Sequence, residues 1–99
     1  MSKAQYKLTC HEQAQGELEG LEETDKNALT ETLKEIATYR EPSNHEKVKL
    51  MRNLDGLFRV RQGDVRAFCY LEQPELRVVM VGYRDKFYNK KHEAQQRMQ

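Results

Sequence analysis

Near Pro42 the spacing of apolar residues changes from a helical to a strand-like period. In the thirty residues before Pro42 apolar residues recur every three or four positions, which is typical of amphipathic helices. The clearest stripe consists of Ala28, Leu29, Leu33, Ile36 and Ala37. Beyond the loop "EPSNHEK" apolar residues alternate with polar ones, as in "LFRVR", which is typical of strands with one buried face.

The helical segment is predicted to be an αα-hairpin. Its first helix spans "HEQAQGELEGLEE" and its second spans "TDKNALTETLKEIATYREP", with a short turn near residues 22–25. Thr24 or Asp25 is suited to cap the second helix, and Pro42 is predicted to stop it. A first strand is expected near residues 3–10, ahead of the hairpin, because apolar residues alternate loosely there.

The strand-like half contains the runs "VKLM", "LFRVR", "VRAFCYL" and "LRVVMVGYR". Gly63 and Asp64 supply a tight turn, so the last three runs are predicted to form an antiparallel meander. The expected fold class is α+β, with the N-terminal strand and the αα-hairpin packed on a small antiparallel sheet. One face of that sheet is expected to be covered by the helices and the other to be free.

The pleat predicts which side chains face the helices, because successive side chains of a strand point to opposite faces. The stripe Leu29, Leu33 and Ile36 should meet a set of sheet residues that alternate onto one face: Phe58, Val60, Val78 and Met80. Val79 is then expected on the free face.

The chain has 99 residues, a length that fits one domain spanning residues 1–99. The polar segment 89–99 has few apolar anchors and is expected to be a mobile tail. No apolar run is long enough for a membrane span, and the N-terminus has no signal-peptide pattern, so a soluble cytoplasmic protein is expected. Cys10 and Cys69 sit inside strand-like runs, which favours reduced, buried thiols over a disulfide.

Positive charge is concentrated in the second half of the chain. Residues 1–45 carry five lysines and arginines against nine carboxylates, whereas residues 46–99 carry twelve against seven. An anionic ligand is therefore expected on the second half, although charges that mix on folding and only solubilise the surface are an open alternative.

Three arginines are predicted to crowd one face of the hairpin. Arg59 and Arg61 alternate with Phe58 and Val60, and Arg66 comes back across the Gly63 turn. Like charges opposite each other are destabilising, so such a cluster indicates either pairing with acids or binding of an anion. Five arginines and no lysine lie between residues 57 and 84, including Arg77 and Arg84, and the forked guanidinium suits phosphate. Solvated positions on an exposed sheet face are the simpler alternative.

Two motifs carry a resemblance to a known family. "LFRVRQGDVRAFCY" is a strand with alternating arginines, a Gly-Asp turn and a second strand with an arginine. "VVMVGYRDKFY" is a last strand that ends in Gly-x-Arg with a tyrosine soon after. With the order of elements over residues 3–41 and 47–88, these motifs resemble the RelE/ParE superfamily of bacterial and archaeal toxins. The resemblance implies the RelE-like, microbial ribonuclease-type fold.

The resemblance implies one of two activities. RelE-like members cut mRNA in the ribosomal A site, by attack of a ribose 2′-hydroxyl on the adjacent phosphate with release of a 5′-hydroxyl. ParE-like members poison DNA gyrase. Three matching residues, Arg66, Arg84 and Tyr88, favour the first activity. The expected protein is then the toxin of a toxin–antitoxin system, a metal-independent endoribonuclease (mRNA interferase) that inhibits translation. A gyrase inhibitor and a degenerate, non-catalytic nucleic-acid-binding member are the alternatives.

The resemblance also assigns roles to residues. Arg66 matches the strand arginine that contacts the scissile phosphate, Arg84 the arginine that stabilises the transition state or assists the leaving group, and Tyr88 the aromatic residue that stacks on a base. The expected RNA-binding set is Arg59, Arg61, Lys47, Lys49 and Lys86. Arg59 and Arg61 fall where RelE has lysines, and an arginine with a pKa above about 12 is a poor general base.

The general base is left open by the sequence. Some relatives place a histidine near the last strand, where this chain has Tyr83, a residue expected to pack. The candidates are Tyr88, Lys49, Glu46, His45 and Asp85. Asp64 fits better as a turn residue, and His45 is expected to be an ordinary surface residue.

The implied partners are a cognate antitoxin, the ribosome and mRNA. No membrane, metal or cofactor is expected. The antitoxin is expected to be a partly disordered chain that folds as it binds, and a heterotetramer of toxin and antitoxin is one assembly that the resemblance allows.

Overall fold

A five-stranded sheet in the order β1-β5-β4-β3-β2 forms the centre of the molecule. The computed structural model describes residues 5–51, 56–87 and 90–98. The strands are β1 (Lys7–Cys10), β2 (Val48–Leu50), β3 (Phe58–Gln62), β4 (Val65–Glu72) and β5 (Glu75–Tyr83). The helices are α1 (Glu12–Glu19), α2 (Glu23–Ile36) and α3 (Lys91–Arg97), and short 3₁₀ helices occupy Pro42–Asn44 and Arg84–Lys86.

The predicted α+β fold is confirmed, including the antiparallel meander. Strands β2 to β5 pair in sequence, each antiparallel to the next. The last strand, β5, also pairs with β1, and this pairing is parallel. The αα-hairpin forms the connection between β1 and the meander. None of the helices among the described residues is long and apolar enough to cross a bilayer.

The start and the end of α2 both differ from the prediction. The residue before its first turn is Glu22, with extended backbone angles, rather than Thr24 or Asp25. A long-range contact explains this, because the Glu22 N–H donates to the Tyr83 hydroxyl and that hydroxyl donates to Asp25, occupying the predicted capping side chain. The helix ends at Ile36, and Pro42 begins the following 3₁₀ helix instead of stopping α2.

The helix-covered face of the sheet holds an apolar core. Leu29, Leu33 and Ile36 of α2 are at most 2% exposed, and they share one cluster with Phe58, Val60 and Val78 of the sheet. These six residues lie where the helical and strand periods predicted. The predicted pleat is therefore right over β3 and the first part of β5.

Met80 is the exception, and the prediction that it faces the helices is wrong. A β-bulge explains the difference, because Cys69 pairs with Val78 whereas Phe68 pairs with Met80, leaving Val79 as an extra residue. One extra residue reverses the alternation beyond it, so Met80 points away from α2 and belongs to the cluster on the opposite face.

The second face, expected to be free, is partly covered by α3. Beneath this helix lies a second apolar cluster, formed by Leu57, Phe68, Tyr70, Val79, Met80, Phe87 and Ala94. Val79, expected on an open surface, is 0% exposed. Residues 91–97 thus form a helix on the sheet, and the mobility of the segment 89–99 stays a prediction.

Candidate active site

The β3–β4 hairpin places its arginines on the face opposite α2. Arg61 lies directly across from Arg66 in the antiparallel register, and Arg59 lies across from Phe68. Because directly paired residues share a face, Arg59, Arg61 and Arg66 project on the same side of the sheet. The predicted crowding of three guanidinium groups is confirmed.

Arg66 is the most buried of these arginines, at 8% exposed. Its Nη1 donates to the carbonyl oxygens of Gly63 at 2.7 Å and Val65 at 3.1 Å, which ties the side chain to the hairpin turn. Gly63 has a φ of 59°, a left-handed conformation that glycine adopts without strain. The pKa of Arg66 is lowered by burial and by the neighbouring positive charges of Arg59, Arg61 and Arg84, although Asp64 acts in the opposite direction. A bound anion would relieve this repulsion.

Arg84 reaches the same region from the end of β5. Its backbone N–H donates to the carbonyl oxygen of Asp64 at 2.7 Å, so the 3₁₀ helix Arg84–Lys86 is fastened to the β3–β4 turn. Asp64 serves here as a turn residue, as predicted. This single backbone contact brings together two arginines that are eighteen positions apart in the sequence.

An open cleft of about 440 Å³ collects these side chains. Its lining consists of Met51, Arg59, Arg61, Arg66, Phe68, Arg84, Phe87 and Lys91. Lys91, the first residue of α3, was missed by sequence reasoning, because nothing in its local sequence indicates that the tail folds back over the sheet. We refer to this site as the arginine cleft.

The arginine cleft carries unbalanced positive charge. Among the described residues, none of Arg59, Arg61, Arg66 and Arg84 forms an ion pair with a carboxylate. Arg77, another of the five arginines between residues 57 and 84, lies outside the cleft and is paired with Glu75 at 3.2 Å. The alternative that acids neutralise the cluster therefore receives no support from the described part of the chain.

Two of the three lysines in the predicted RNA-binding set, Lys47 and Lys49, lie beside the cleft. Lys49 is the register partner of Arg59, and Lys47 accepts a backbone hydrogen bond from Arg61, so both line a neighbouring depression with the two arginines. The Lys47 Nζ donates to Gln62 Oε1 at 2.6 Å. Lys86 is set apart, because it lines two other depressions and not the arginine cleft.

Tyr88, the third predicted catalytic residue, lies outside the described residues. Tyr83 packs as expected, since its hydroxyl bridges Glu22 and Asp25 at the start of α2. Of the other candidate bases, Asp85 lines a depression next to the arginine cleft that Arg84 also borders. Glu46 lines the depression that Lys47 and Lys49 share with Arg59 and Arg61.

His45 was expected on the surface, and that prediction is wrong. Its side chain is 2% exposed, its Nε2 lies 2.6 Å from Glu35 Oε1, and its Nδ1 accepts from the Lys47 N–H at 3.0 Å. Because Nδ1 accepts, Nε2 carries the proton and donates to Glu35. His45 therefore holds the start of β2 against α2 and is not directed into the arginine cleft.

The arrangement is suited to hold a phosphate whose negative charge increases during a reaction. Guanidinium groups donate forked, charge-assisted hydrogen bonds to phosphate oxygens, and a partly buried array gives them more strength than bulk water allows. Among the described residues, no group of three or more metal-binding side chains comes together.

Comparison with solved structures places this fold among known ones. No protein-family model matches the chain, and no curated protein matches it in sequence. A mutant of the Escherichia coli toxin RelE in the free state is similar in structure, with a TM-score of 0.70 and 20% identity, over 92% of this chain and 97% of that one.

Two toxin–antitoxin complexes agree with this likeness. The archaeal RelE–RelB complex from Pyrococcus horikoshii contains a chain with a TM-score of 0.65 and 22% identity, over 81% of this chain and 96% of that one. The toxin–antitoxin complex from Mycobacterium tuberculosis contains one with a TM-score of 0.66 and 24% identity, over 82% and 93%. The chain described here therefore has the fold of the RelE-like toxins.

Proposed function

We propose that this protein is the toxin of a toxin–antitoxin pair and that it cleaves mRNA on the ribosome. The observation that carries the proposal is the arginine cleft, where Arg59, Arg61, Arg66 and Arg84 converge and none of them forms an ion pair with a carboxylate of the described residues. The RelE-like fold supports the same reading. A cytoplasmic location follows from the proposed substrate.

The proposed reaction is attack of a ribose 2′-hydroxyl on the adjacent phosphate. The bond from phosphorus to the 5′-oxygen breaks, leaving a 2′,3′-cyclic phosphate and a new 5′-hydroxyl. Arg66 holds the scissile phosphate, because it is buried and fixed by the turn carbonyls, and Arg84 stabilises the charge that develops on phosphorus or on the leaving oxygen. No metal ion is required for this scheme.

The remaining basic residues bind the RNA on either side of that phosphate. Arg59, Arg61, Lys47 and Lys49 form a continuous basic surface along β2 and β3, and Lys86 adds charge beyond Arg84. Arg59 and Arg61 stay protonated and so bind without taking the 2′ proton. Tyr88 is proposed to stack on a base and to assist proton transfer, since His45 is bonded to Glu35 instead.

The proposed partner that keeps the toxin inactive is an acidic antitoxin. Acidic side chains bind the arginine cleft for the same electrostatic reason that phosphate does. Two of the structures with the same fold were solved as toxin–antitoxin complexes, and a heterotetramer is one arrangement that such a pair can take.

The test uses purified protein and a defined mRNA, either naked or on translating ribosomes. We expect cuts only on the ribosome, with products that carry a 5′-hydroxyl and therefore accept labelled phosphate from polynucleotide kinase without prior dephosphorylation. A parallel assay measures supercoiling by DNA gyrase. Intact mRNA with inhibited supercoiling would replace the proposal by the gyrase alternative, and intact mRNA with normal supercoiling would indicate a non-catalytic binding member.

A further inference from the structure

Glu17 of α1 and Arg97 of α3 meet at the outer edge of β5. Arg97 Nη1 lies 2.9 Å from Glu17 Oε1, and Nη2 lies 3.0 Å from Oε2, so the pair is bidentate. Nη1 also donates to the Val79 carbonyl oxygen at 2.8 Å, and Glu17 Oε1 accepts from the Val81 N–H at 3.0 Å. The Arg97 side chain is 8% exposed, although its helix is mostly exposed.

The sheet pairing explains why charged groups occupy this position. β1 pairs with β5 only over Glu75–Val78, so the outward-facing backbone groups of Val79 and Val81 have no strand to bond. A buried backbone group without a partner costs about 1–3 kcal/mol. Arg97 supplies a donor to the carbonyl and Glu17 an acceptor to the N–H, so the ion pair continues the edge where β1 stops.

This contact also determines where α3 lies. α3 has seven residues, fewer than the ~12–15 below which an isolated helix is marginal in water. The other ion pairs of this segment, Arg97–Glu93 at 2.9 Å and Lys90–Glu93 at 3.7 Å, join residues of the segment itself, so neither connects α3 to the sheet. Ala94 and Arg97 are the α3 side chains buried against the sheet and its edge.

The position of α3 in turn sets one wall of the arginine cleft. Its first residue, Lys91, lines the cleft, and Phe87 just before it stacks on Phe68 with ring centroids 4.5 Å apart. Phe68 lies two residues from Arg66 on the same face of β4. Movement of α3 would therefore remove Lys91 and Phe87 from the cleft while leaving the hairpin arginines in place.

We infer that Arg97 and Glu17 are positioning residues of the arginine cleft, which by occupying the free edge of β5 hold Lys91 where it contacts RNA phosphate. The inference rests on the proposed function for the identity of the ligand. Arg97 and Glu17 contact no ligand themselves. They come from different helices, so neither α1 nor α3 alone provides both members of the ion pair.

A double-mutant cycle on RNA binding tests this coupling. The probe is a fluorescent single-stranded RNA oligonucleotide, and the readout is the slope of log affinity against log salt concentration. Each phosphate contact on a single strand contributes about 0.7 to that slope. Lys91→Ala should reduce the slope by about 0.7 in the wild-type protein, and by nothing further in Arg97→Ala, because Lys91 is already displaced there.

Matched variants separate positioning from loss of charge. Arg77→Ala likewise removes an ion-paired arginine, but from β5 instead of α3, and it should leave the Lys91 contribution intact. An undiminished Lys91 contribution in Arg97→Ala, or none in the wild type, would overturn the inference. Failure of the wild-type protein to bind the oligonucleotide would overturn it as well, whereas the proposed function is tested separately by cleavage of mRNA on translating ribosomes.

A second measurement requires no RNA. In nuclear magnetic resonance spectra of Arg97→Ala, the signals of Phe87 and Lys91 should shift and the Val81 amide should exchange faster, whereas β3 should be unchanged. Reversing the pair, with Glu17→Arg and Arg97→Glu, should fail to restore the wild-type signals, because it sets a donor against the Val81 N–H and an acceptor against the Val79 carbonyl. Wild-type signals in Arg97→Ala, or full restoration by the reversed pair, would contradict the inference.

Discussion

The two faces of the sheet are built on different principles. The face toward α2 carries an apolar core, in which Leu33 of α2 and Val60 and Val78 of the sheet are each at most 2% exposed. The opposite face is divided, with an apolar cluster under α3 at one end and the arginine cleft at the other. The first face holds the fold together, whereas the second accepts mutual repulsion among arginines in a position where an anion would relieve it.

This difference teaches where stability and function are located. Truncation on the helix-covered face should reduce the free energy of unfolding, because its buried residues pack together in one apolar core. Truncation in the arginine cleft should reduce activity rather than stability. Its residues repel one another in the absence of a ligand, so removing one of them costs the fold little.

The largest expected effect is on stability at the helix-covered face. Leu33→Ala should lower the free energy of unfolding by about 2–5 kcal/mol. Val79→Ala on the opposite face should also destabilise, by about 1.5 kcal/mol for two buried methyl groups. Chemical denaturation measures both, with Leu50→Ala, at a residue 60% exposed, as the control within about 0.5 kcal/mol of wild type. An unchanged Val79→Ala would mean that the second face is open after all.

The next effect concerns the cleft itself. Arg66→Ala or Arg84→Ala should lower the rate of mRNA cleavage by about 10²–10³-fold, by analogy with the loss of one oxyanion-stabilising donor. Lysine at either position should recover only part of the rate, because the fork is lost. Single-turnover cleavage on programmed ribosomes provides the measurement, and full activity of Arg66→Lys would show that charge without geometry is sufficient.

A smaller effect is expected where α2 is joined to the edge of the sheet. His45 joins Glu35 of α2 to the Lys47 backbone at the start of β2. His45→Ala should cost about 1–3 kcal/mol, since it leaves a backbone N–H without its acceptor. Thermal unfolding is the readout, and Ser43→Ala, at an exposed position two residues earlier, is the control. Unfolding of His45→Ala at the wild-type temperature would show that the hydrogen bonds of His45 do not contribute to stability.

The mildest probe of the helix-covered face is chemical. Cys69 is 0% exposed, and burial raises the pKa of its thiol, while the pKa of the half-buried Cys10 thiol is raised by burial and lowered by Arg77. Because the thiolate is the reactive form, Cys69 should not react with a disulfide reagent at pH 8 until the protein unfolds. The Cys10→Ser variant isolates this thiol. Rapid labelling of native Cys10→Ser would show that the core opens.

Periodicity and turn chemistry were sufficient to predict most of the fold. They predicted the αα-hairpin, the meander and the shared face of Arg59, Arg61 and Arg66, because these depend on residues close in sequence. They failed at Met80, because no glycine or proline marks the bulge at Val79. These local rules are blind to contacts between distant residues.

Three further features depend on such contacts. The start of α2 is set by Tyr83, the position of α3 by Glu17, and the burial of His45 by Glu35. The place of Lys91 in the cleft was not predicted for the same reason, because it depends on where α3 packs on the sheet. Local patterns therefore describe the helix-covered face better than the face that carries the cleft.

The most direct test compares two variants with equal loss of charge. Arg66→Ala with Arg84→Ala removes two arginines from the cleft, and Arg40→Ala with Arg77→Ala removes two from elsewhere on the surface. When each is expressed in cells without an antitoxin, we expect the second variant to arrest growth as the wild type does and the first to be harmless. Growth arrest by both variants to the same degree would contradict the claim that the arginine cleft carries the activity.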